Sequence, residues 1–513
     1  IQELSGDDIR ARTTFTHTGW RKVQGRWVYL HAGGAIGADP GTVAVRLDGA
    51  AAGFVLPDPP AGAELRAAVR ASLGVLYGLA PDSVTVPLLA TAYRAPLGPA
   101  DYTLWLSGLT GANKSELAAL AQQHFGAGMA RTRLPGNWSS TENAIEGLAF
   151  AVKDAVLVVD DFAPPVTRGE ADRLQRTAER LIRGTGNAAG RQRMRADGTL
   201  RPPKPPRALV VATGEDVPRG QSVTARLCVA EVARGAVNLA RLSACQADAA
   251  AGRYAAAMAG YVAWLAPQYA DVRAGLDADR AEIRDRLVNR FAHARTPDVA
   301  ANLLVGLRWL LRFAEAVGAV TTPEREGLWE RGQTALLDLA GDQNRHQRDT
   351  DPVAQFPALV ATVVSSGRGH VAAADGGPPE NPARWGWEVR EGSGTFDPRP
   401  TCHARGHKIG WLGDDREALY LDPDAAFAAV ARLTQEQGVT YPLGQHTLWR
   451  RLKETGLLAR ADKGRATYWA SVEGARRRVV HLRVEAVRPC TTFRTGTDGG
   501  DGVVHGNGPV SQQ

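Results

Sequence analysis

A lysine and a serine, Lys114 and Ser115, follow a short apolar run that turns through glycines. The order is a strand-like stretch, a glycine-containing loop and a helix-like stretch, which is the context of a phosphate-binding loop. In such a loop backbone N–H groups surround the nucleotide phosphates, the lysine neutralises the terminal ones and the hydroxyl ligates Mg²⁺. We therefore predict that ATP and Mg²⁺ bind here, through Gly108, Gly111, Ala112, Asn113, Lys114 and Ser115.

Position 113 departs from the usual pattern, because asparagine stands where a glycine is expected before the lysine. Asparagine is the next-best residue for left-handed backbone angles, so the loop can still form. Its side chain adds bulk near the phosphates, which leaves the nucleotide affinity open. The alternative interpretation is a plain glycine-rich turn, and the loop alone does not exclude it.

A second stretch favours the nucleotide site. The continuous apolar run 155–159 is typical of a buried parallel strand, and it ends in Asp160 and Asp161. NTPases place a metal-binding aspartate and the acid that polarises the attacking water at such a strand end. We assign Asp160 to Mg²⁺ and Asp161 to the water. Because Asp161 is one methylene shorter than the usual glutamate, slow turnover is expected.

A third apolar run, 208–212, ends in Thr213, whose hydroxyl we predict to contact the γ-phosphate or its water. Two arginines follow, Arg219 and Arg226. In ring ATPases an arginine after this strand stabilises transition-state charge in the neighbouring subunit's site. We favour Arg226 for this role, the alternative being a surface arginine or ion-pair partner.

The segment 183–207 carries seven basic residues against one acid, Asp197. A turn at 196–199 predicts a basic hairpin just before the Thr213 strand. Ring helicases carry DNA-touching hairpins in this place, and the alternative is a solvated basic loop. The predicted DNA-binding residues are Arg191, Arg193, Arg195, Arg201 and Lys204.

Near the C-terminus, two helical stretches followed by a Gly-Leu-Leu exit and a β-ribbon predict a winged helix. Residues 446–483 carry ten basic residues against three acids, which is consistent with phosphate contacts by Arg450, Arg451 and Lys453. Winged helices also serve as protein-interaction modules, so this alternative stays open.

The composition of the chain gives weaker evidence about function than these motifs do. The net charge is +7, but seven lysines against 54 arginines indicate a coding bias, so bulk basicity is weak evidence for nucleic acid. The most apolar helix, 254–266, stops at Pro267 and is too short to span a bilayer. The four cysteines form no Cys-x-x-Cys pair, and reduced thiols in the cytoplasm are expected.

The chain therefore reads as an α/β P-loop NTPase with appended domains. We predict a β-rich N-terminal domain at 1–62, the ATPase core at 63–236 and a helical lid at 237–372. A linker at 373–415, a winged helix at 416–488 and a disordered tail at 489–513 follow.

Several of these stretches together resemble a bacterial and phage family, the domain of unknown function nine-two-seven, which is described as helicase-like. The matching stretches are the N-terminal Gly-Trp-Arg-Lys and Gly-Arg-Trp-Val-Tyr-Leu-His-Ala-Gly-Gly-Ala, the Asn-Lys-Ser of the loop, Trp138-Ser139-Ser140-Thr141 with Glu146, and the Val-Val-Asp-Asp strand. The resemblance implies a ring-forming ATPase of the AAA+ or superfamily-three helicase kind. Family members often accompany primase modules on mobile elements, which implies a primase partner.

Three hypotheses follow. The first is an ATP-dependent DNA helicase or translocase of a phage, plasmid or integrated element. It would act in replication on single- or double-stranded DNA as a homo-oligomeric ring, which we expect to be a hexamer. The second is a DNA-binding initiator or defence regulator that uses ATP only as a switch. A third reading, a degenerate structural ATPase, requires that Lys114 has no role in nucleotide binding.

Overall fold

A computed structural model describes residues 13–39, 41–163, 167–291, 295–349, 351–390, 401–414, 417–437 and 440–487 of the chain. The chain divides into two compact units, Ile1–Arg348 and Asp349–Gln513. Each unit has a hydrophobic core of its own.

The strands of the first unit are β1 (Thr14–Phe15), β2 (Gly19–Val23), β3 (Arg26–His31), β4 (Gly34–Ile36), β5 (Ala44–Val45), β6 (Thr103–Ser107), β7 (Gly136–Asn137), β8 (Val156–Phe162), β9 (Arg193–Met194), β10 (Leu200–Arg201), β11 (Leu209–Gly214) and β12 (Leu227–Glu231). Its helices are α1 (Gly62–Leu73), α2 (Asp82–Arg94), α3 (Lys114–Gln122), α4 (Glu142–Ala151), α5 (Arg168–Asn187), α6 (Gln221–Thr224), α7 (Leu239–Ala250), α8 (Arg253–Leu265), α9 (Tyr269–Leu287), α10 (Thr296–Ala316) and α11 (Thr322–Asp349).

The centre of the first unit is a five-stranded sheet in the order β12-β6-β11-β8-β7, and every neighbouring pair is parallel. The three middle strands are almost wholly buried, because helices cover both faces of a parallel sheet. This explains why their sequences are continuous apolar runs. The predicted α/β core with a parallel sheet is confirmed.

The buried amide of Gln122 fixes α3 against β8. Its Nε2 donates to the carbonyl of Val156 at 3.2 Å, and its Oε1 accepts from the N–H of Val158 at 2.8 Å. These bonds satisfy strand groups that the short β7 does not reach. The helix after the predicted phosphate loop is therefore tied to the acidic strand.

The N-terminal strands β2, β3 and β4 form an antiparallel sheet that packs on the same core. The backbone N–H of Trp20 donates to the Asp154 carboxylate at 3.0 Å, and the Tyr29 hydroxyl donates to the Asp154 carbonyl at 2.7 Å. Trp20 also stacks on Tyr269, with ring centroids 4.1 Å apart. The predicted domain 1–62 thus shares the core of the first unit.

The second unit contains β13 (Gly369–Ala372), β14 (Trp387–Arg390), β15 (Thr401–Ala404), β16 (His407–Leu412), β17 (Ala418–Leu421), β18 (Leu458–Arg460), β19 (Tyr468–Val472) and β20 (Ala475–Arg483), with helices α12 (Pro352–Ser365), α13 (Pro423–Glu436) and α14 (Gln445–Glu454). The main sheet has the order β13-β16-β17-β20-β18, and β19 also pairs with β20. β13 and β16 are parallel, and the other pairs are antiparallel.

The structure differs from the predicted boundaries in this part of the chain. The segment predicted as a linker, 373–415, contains β14, β15 and β16, and Ile409 and Trp411 of β16 are buried. Glycine and proline around this strand hid its short apolar run in the sequence. Likewise α12 and β13, predicted as part of the helical lid, belong to the second unit. The predicted tail 489–513 lies outside the described residues.

Among the described residues, none of the helices combines the length and the apolar character needed to cross a membrane.

Candidate nucleotide and nucleic-acid sites

The predicted phosphate loop joins β6 to α3. Lys114 is the first residue of α3, and Ser115 follows it, half-buried. Asn113 adopts the left-handed conformation, with φ 63°, and Gly111 has φ +83°. Asn113 therefore adopts the left-handed backbone conformation that a glycine usually adopts at this position of a phosphate-binding loop.

Gly108 is required by a close approach of two chain segments. A Cβ at this position would lie 2.3 Å from the carbonyl oxygen of Val232, which follows β12. The Gly108 N–H donates to the Gly214 carbonyl at 3.2 Å, so the start of the loop is tied to the end of β11. Three neighbouring strand ends thus hold the loop in place.

The Lys114 ammonium lies inside the loop. Its Nζ donates to the carbonyl oxygens of Gly108 at 2.7 Å and Leu109 at 2.9 Å. Partial burial lowers the pKa of Lys114, and the carboxylates of Glu215, Asp160 and Asp161 oppose this shift. A cation in a glycine-containing loop, with three carboxylates nearby, suits a ligand made of phosphates and a divalent cation.

The two acids at the end of β8 lie at a β-bulge. Val159 pairs with Ala212, but the next pair is Phe162 with Gly214, so β8 carries one extra residue there. Asp161 has φ 68° and is exposed. Bulges re-aim side chains beside functional sites, and this one turns two consecutive carboxylates out of the strand alternation.

Thr213 connects the two acids. Its hydroxyl donates to Asp160 Oδ1 at 2.6 Å and accepts the backbone N–H of Asp161 at 3.0 Å, and the side chain is fully buried. A hydroxyl has a single proton, and here the Asp160 carboxylate holds it. The predicted contact of Thr213 with the γ-phosphate differs from this arrangement, in which Thr213 orients Asp160.

Two residues at this edge of the sheet, Glu215 and Arg234, were not predicted from the sequence. The Thr110 hydroxyl of the loop donates to the Glu215 carboxylate, and an Arg234 Nη donates to the Thr110 carbonyl at 3.4 Å. Glu215 comes directly after β11 and Arg234 lies three residues after β12. The signal that could have found them is their position after strands that end beside the loop.

Three aromatic rings support the acidic strand end. Trp105 lies 5.2 Å from Phe162 and 5.8 Å from Trp138, measured between ring centroids. Trp105 Nε1 also donates to the Asp216 carbonyl at 3.2 Å. These packed rings therefore support the site and hold the loop and the acids in fixed positions.

The residues fit ATP and Mg²⁺ on two observations. The Lys114 ammonium is held at the loop by two carbonyl oxygens, and the Asp160 carboxylate lies near enough to oppose the lowering of its pKa. Ser115 and Asp160 are the residues that would hold the metal, with Thr213 orienting the aspartate.

Arg226 lies away from the loop of its own chain. Leu227 pairs with Thr103, at the start of β6, whereas the loop follows the other end of that strand, roughly 13 Å away. Its guanidinium donates to Ser222 Oγ at 2.8 Å and Asn187 Oδ1 at 2.7 Å. Arg219, the other predicted arginine, is exposed.

The predicted basic hairpin is present. β9 and β10 are antiparallel, and the Arg195 N–H donates to the Thr199 carbonyl at 2.7 Å across the turn. Met194 and Leu200 face each other and are 70% and 59% exposed. The side chains of Arg191, Arg195, Arg201 and Lys204 are exposed, and that of Arg193 lies outside the described residues.

A cavity of about 370 Å³ lies at the base of this hairpin. Its lining has more basic than acidic side chains. The basic ones are Arg176, Arg180, Arg183, Arg191 and Lys204, and the acidic ones are Glu146 and Glu179.

In the second unit, the predicted contacts lie on α14. Arg450 is exposed, with its Nε 3.8 Å from Glu454, and Arg451 is half-buried. The Lys453 ammonium donates to the carbonyls of Asp462 at 3.0 Å and Arg465 at 2.7 Å. Lys453 thus braces the loop before β19.

No family model matches this chain, and no curated protein does. The resemblance to the family of unknown function therefore stays a prediction. A solved structure described as "SCCmec type IV Cch - active helicase" matches with a TM-score of 0.55 and 14% identity. The match covers 94% of this chain and 81% of that chain. At this identity the similarity shows a shared fold.

The structure therefore brings together most of the predicted nucleotide residues. The loop, Asp160, Asp161 and Thr213 meet at the carboxyl edge of one sheet, where Glu215 and Arg234 join them. Arg226 lies at the opposite edge. The residues of the basic hairpin and those of α14 belong to different units.

Proposed function

We propose that this chain is an ATP-dependent DNA helicase or translocase of the AAA+ or superfamily-three kind. The observation that carries the proposal is the meeting of Lys114 with Asp160 and Asp161 at the carboxyl edge of one parallel sheet. Supporting it is the strand order, in which β11 with Thr213 lies between the loop strand and the acidic strand. The solved structure with the shared fold is itself described as an active helicase.

In this proposal each residue has a task at the γ-phosphate. The loop amides and the Lys114 ammonium bind and neutralise the phosphates. Mg²⁺, when bound, supplies further charge neutralisation. Thr213 holds Asp160 in place through its hydrogen bond, and Asp161, exposed at the bulge, takes a proton from the attacking water. The aromatic packing below keeps these groups aligned.

The proposal includes a homo-oligomeric ring, with ATP between subunits. Arg226 lies too far from the loop of its own chain to act there, so its role requires the site of a neighbouring copy. To act there, the Arg226 guanidinium would have to break its hydrogen bonds to Ser222 and Asn187. Replication of a mobile element in the cytoplasm, and a primase partner, belong to the same proposal.

Nucleic acid would be held by basic groups in both units. The exposed hairpin of β9 and β10 directly precedes β11 in the sequence. A shift of β11 on ATP hydrolysis would therefore be passed to the hairpin through only a few residues. In the second unit, α13, α14 and the ribbon of β19 and β20 have the order of a winged helix. Phosphate contacts by these groups would be salt-dependent and largely independent of sequence.

The test is steady-state ATP hydrolysis with and without single-stranded DNA, beside Lys114→Ala and Asp160→Ala. We expect hydrolysis that DNA stimulates and that both substitutions abolish. Arg46→Ala, which changes an exposed arginine elsewhere in the first unit, serves as the control and should leave both rates unchanged.

The alternative is a DNA-binding protein that uses ATP as a switch. The short Asp161 in the place of a glutamate favours this reading, because its carboxylate reaches less far toward a water. Tight ATP binding with negligible turnover, with or without DNA, would support the switch and contradict the motor. Unchanged nucleotide affinity in Lys114→Ala would contradict both.

A further inference from the structure

Trp469 is an exposed tryptophan on the hairpin of β19 and β20, which we call the wing hairpin. The side chain is 40% exposed. Trp469 pairs with Arg478 across the hairpin, and Ser471 pairs with Arg476. Because alternate residues of a strand share a face, both arginines lie on the face of the hairpin that carries Trp469.

Both arginines lie close to the indole ring. The guanidinium carbon of Arg478 lies 4.8 Å from the ring centroid, and that of Arg476 lies 5.9 Å away. Both distances are in the range of cation–π attraction. The arginines therefore restrict the ring while a large part of its surface stays accessible.

The opposite face of the wing hairpin is anchored in the second unit. Ala470, Val472 and Val479 are buried in a small core with Trp411. Trp469 consequently projects from a fixed element, so a ligand can bind the ring without ordering a loop first.

The surrounding charge selects an anionic ligand. Residues 446–483 carry ten basic residues against three acids. One of the acids, Glu473, is paired with Lys408 and lies 3.3 Å from Arg477. A flat, partly exposed ring beside two guanidinium groups in a basic field matches a chain that alternates aromatic bases with phosphates.

The same geometry favours unpaired bases over a duplex. Bases within a duplex are covered on both faces by their neighbours, whereas a single strand offers base faces for stacking. We infer that Trp469, with Arg476 and Arg478, is a stacking platform for the bases of single-stranded nucleic acid. This inference rests on the proposed DNA-binding function, and it adds a site outside the α14 residues and the basic hairpin.

The test compares two fluorescently labelled strands of equal length, an oligothymidylate and an abasic strand, bound to the full chain. Wild type should bind the oligothymidylate more tightly than the abasic strand. Trp469→Ala should weaken binding of the oligothymidylate roughly 5- to 100-fold, because one stacked base is lost. Its affinity for the abasic strand should stay unchanged, because the phosphate contacts remain.

Two variants guard against a trivial loss of structure. Trp469→Phe keeps an aromatic face and should retain most of the affinity, whereas Trp469→Leu keeps apolar bulk and should behave as Trp469→Ala. Tyr77→Ala is the matched control, because Tyr77 is 48% exposed and lies near Arg331 in the first unit. It should leave binding of both strands unchanged.

The outcomes separate the inference from the proposed function. Equal affinity of wild type and Trp469→Leu for the oligothymidylate, with DNA-stimulated hydrolysis intact, would overturn the platform and leave the motor standing. Absence of DNA binding by wild type would overturn both. Loss of affinity for both strands in Trp469→Leu would also overturn the platform, because a stacking role predicts selectivity for bases.

Discussion

At the scale of the residue, the hydroxyl of Thr213 connects the two acids of the candidate site. It donates to Asp160 and accepts from the backbone of Asp161, and the side chain is fully buried. A buried hydroxyl in this position fixes the direction of the Asp160 carboxylate, which we propose as a ligand of Mg²⁺. Its contribution should therefore appear in turnover more than in nucleotide affinity.

We predict that Thr213→Ala lowers the rate of ATP hydrolysis about 10- to 100-fold, since a lost partner of a ligating group has an effect of that order. Nucleotide affinity should change little, because the loop and Lys114 are untouched. Thr213→Ser, which keeps the hydroxyl, is the control and should retain most of the rate. Turnover and a fluorescent-nucleotide titration measure the two effects; an equal loss in both variants would contradict the role of the hydroxyl.

Single residues also show how much of the candidate site could be predicted from the sequence. Lys114 and Asn113 were predictable because the loop pattern fixes both a charge and a backbone conformation, and the structure has Asn113 left-handed. The role of Thr213 was not predictable, since it depends on a bulge in the neighbouring strand. Arg234 was missed because only the strand order brings it beside Thr110.

At the scale of the element, the basic hairpin of β9 and β10 combines exposed arginines with the exposed pair Met194 and Leu200. An apolar pair facing solvent on a two-stranded ribbon has little to contribute to the stability of the chain. Phosphate contacts by the arginines around it would give binding a measurable dependence on salt.

We predict that Arg195→Ala/Arg201→Ala reduces the slope of log affinity for single-stranded DNA against log salt by about 1.4, if each arginine meets one phosphate. The affinity at low salt should fall for every sequence alike. Arg26→Ala/Arg46→Ala removes two exposed arginines outside the hairpin and should leave the slope as in wild type. Identical slopes in both double variants would argue against phosphate contacts at the hairpin.

The turn that ends α3 contains a buried histidine with a pH-dependent role. His124 Nδ1 lies 2.8 Å from the Leu120 carbonyl, and Nε2 lies 2.8 Å from Ser72 Oγ. A carbonyl can only accept, so the neutral ring donates from Nδ1 and accepts from Ser72. Burial lowers the pKa of His124 to about 4.

We predict that this histidine makes the fold less stable in mild acid. The folded pKa lies below the unfolded value of about 6.5, so the contribution is complete above that pH and is lost as the pH falls toward 4. Between pH 7 and pH 5 the loss should be about 2 kcal/mol. Urea unfolding of wild type and of the non-titrating His124→Gln measures it, and a parallel pH dependence in the two proteins would refute the assignment.

Elements were predictable where their patterns were long. Thr141 caps α4, since its side chain accepts the N–H of Ala144 at 3.3 Å. The strand β16 was not found, because its buried Ile409 and Trp411 alternate with glycine and lysine in a segment rich in turn residues. Its position in the sheet depends on β13 and β17, which lie on either side in space.

At the scale of the whole molecule, the position of Arg226 is the feature that bears on assembly. The residue lies at the edge of the sheet opposite its own phosphate loop, and Gly186 leaves room for its side chain, since a Cβ there would lie 2.5 Å from Arg226 Cδ. An arginine held in this way is structural within one chain. Only a neighbouring copy could use it for catalysis.

We predict that mixing two inactive variants restores ATP hydrolysis. Lys114→Ala lacks a working loop but keeps Arg226, whereas Arg226→Ala keeps the loop. In a mixed ring some interfaces join an intact loop to an intact arginine, so the mixture should exceed either variant alone. Arg219→Ala in the place of Arg226→Ala is the comparison that decides between the two arginines. A mixture no more active than its components would mean that Arg226 serves only its own chain.

The order of the strands in the central sheet has a consequence for how the chain is made. β6 pairs on one side with β11 and on the other with β12, so Thr103 meets Leu227 only after 124 further residues have been synthesised. At about 5–20 residues per second that interval lasts roughly 6–25 s. Until β11 is synthesised, late in this interval, the apolar Leu104, Trp105 and Leu106 have no strand partners on the growing polypeptide. A nascent chain that has emerged only as far as the basic hairpin therefore still lacks both strands that cover the edges of β6 in the folded protein.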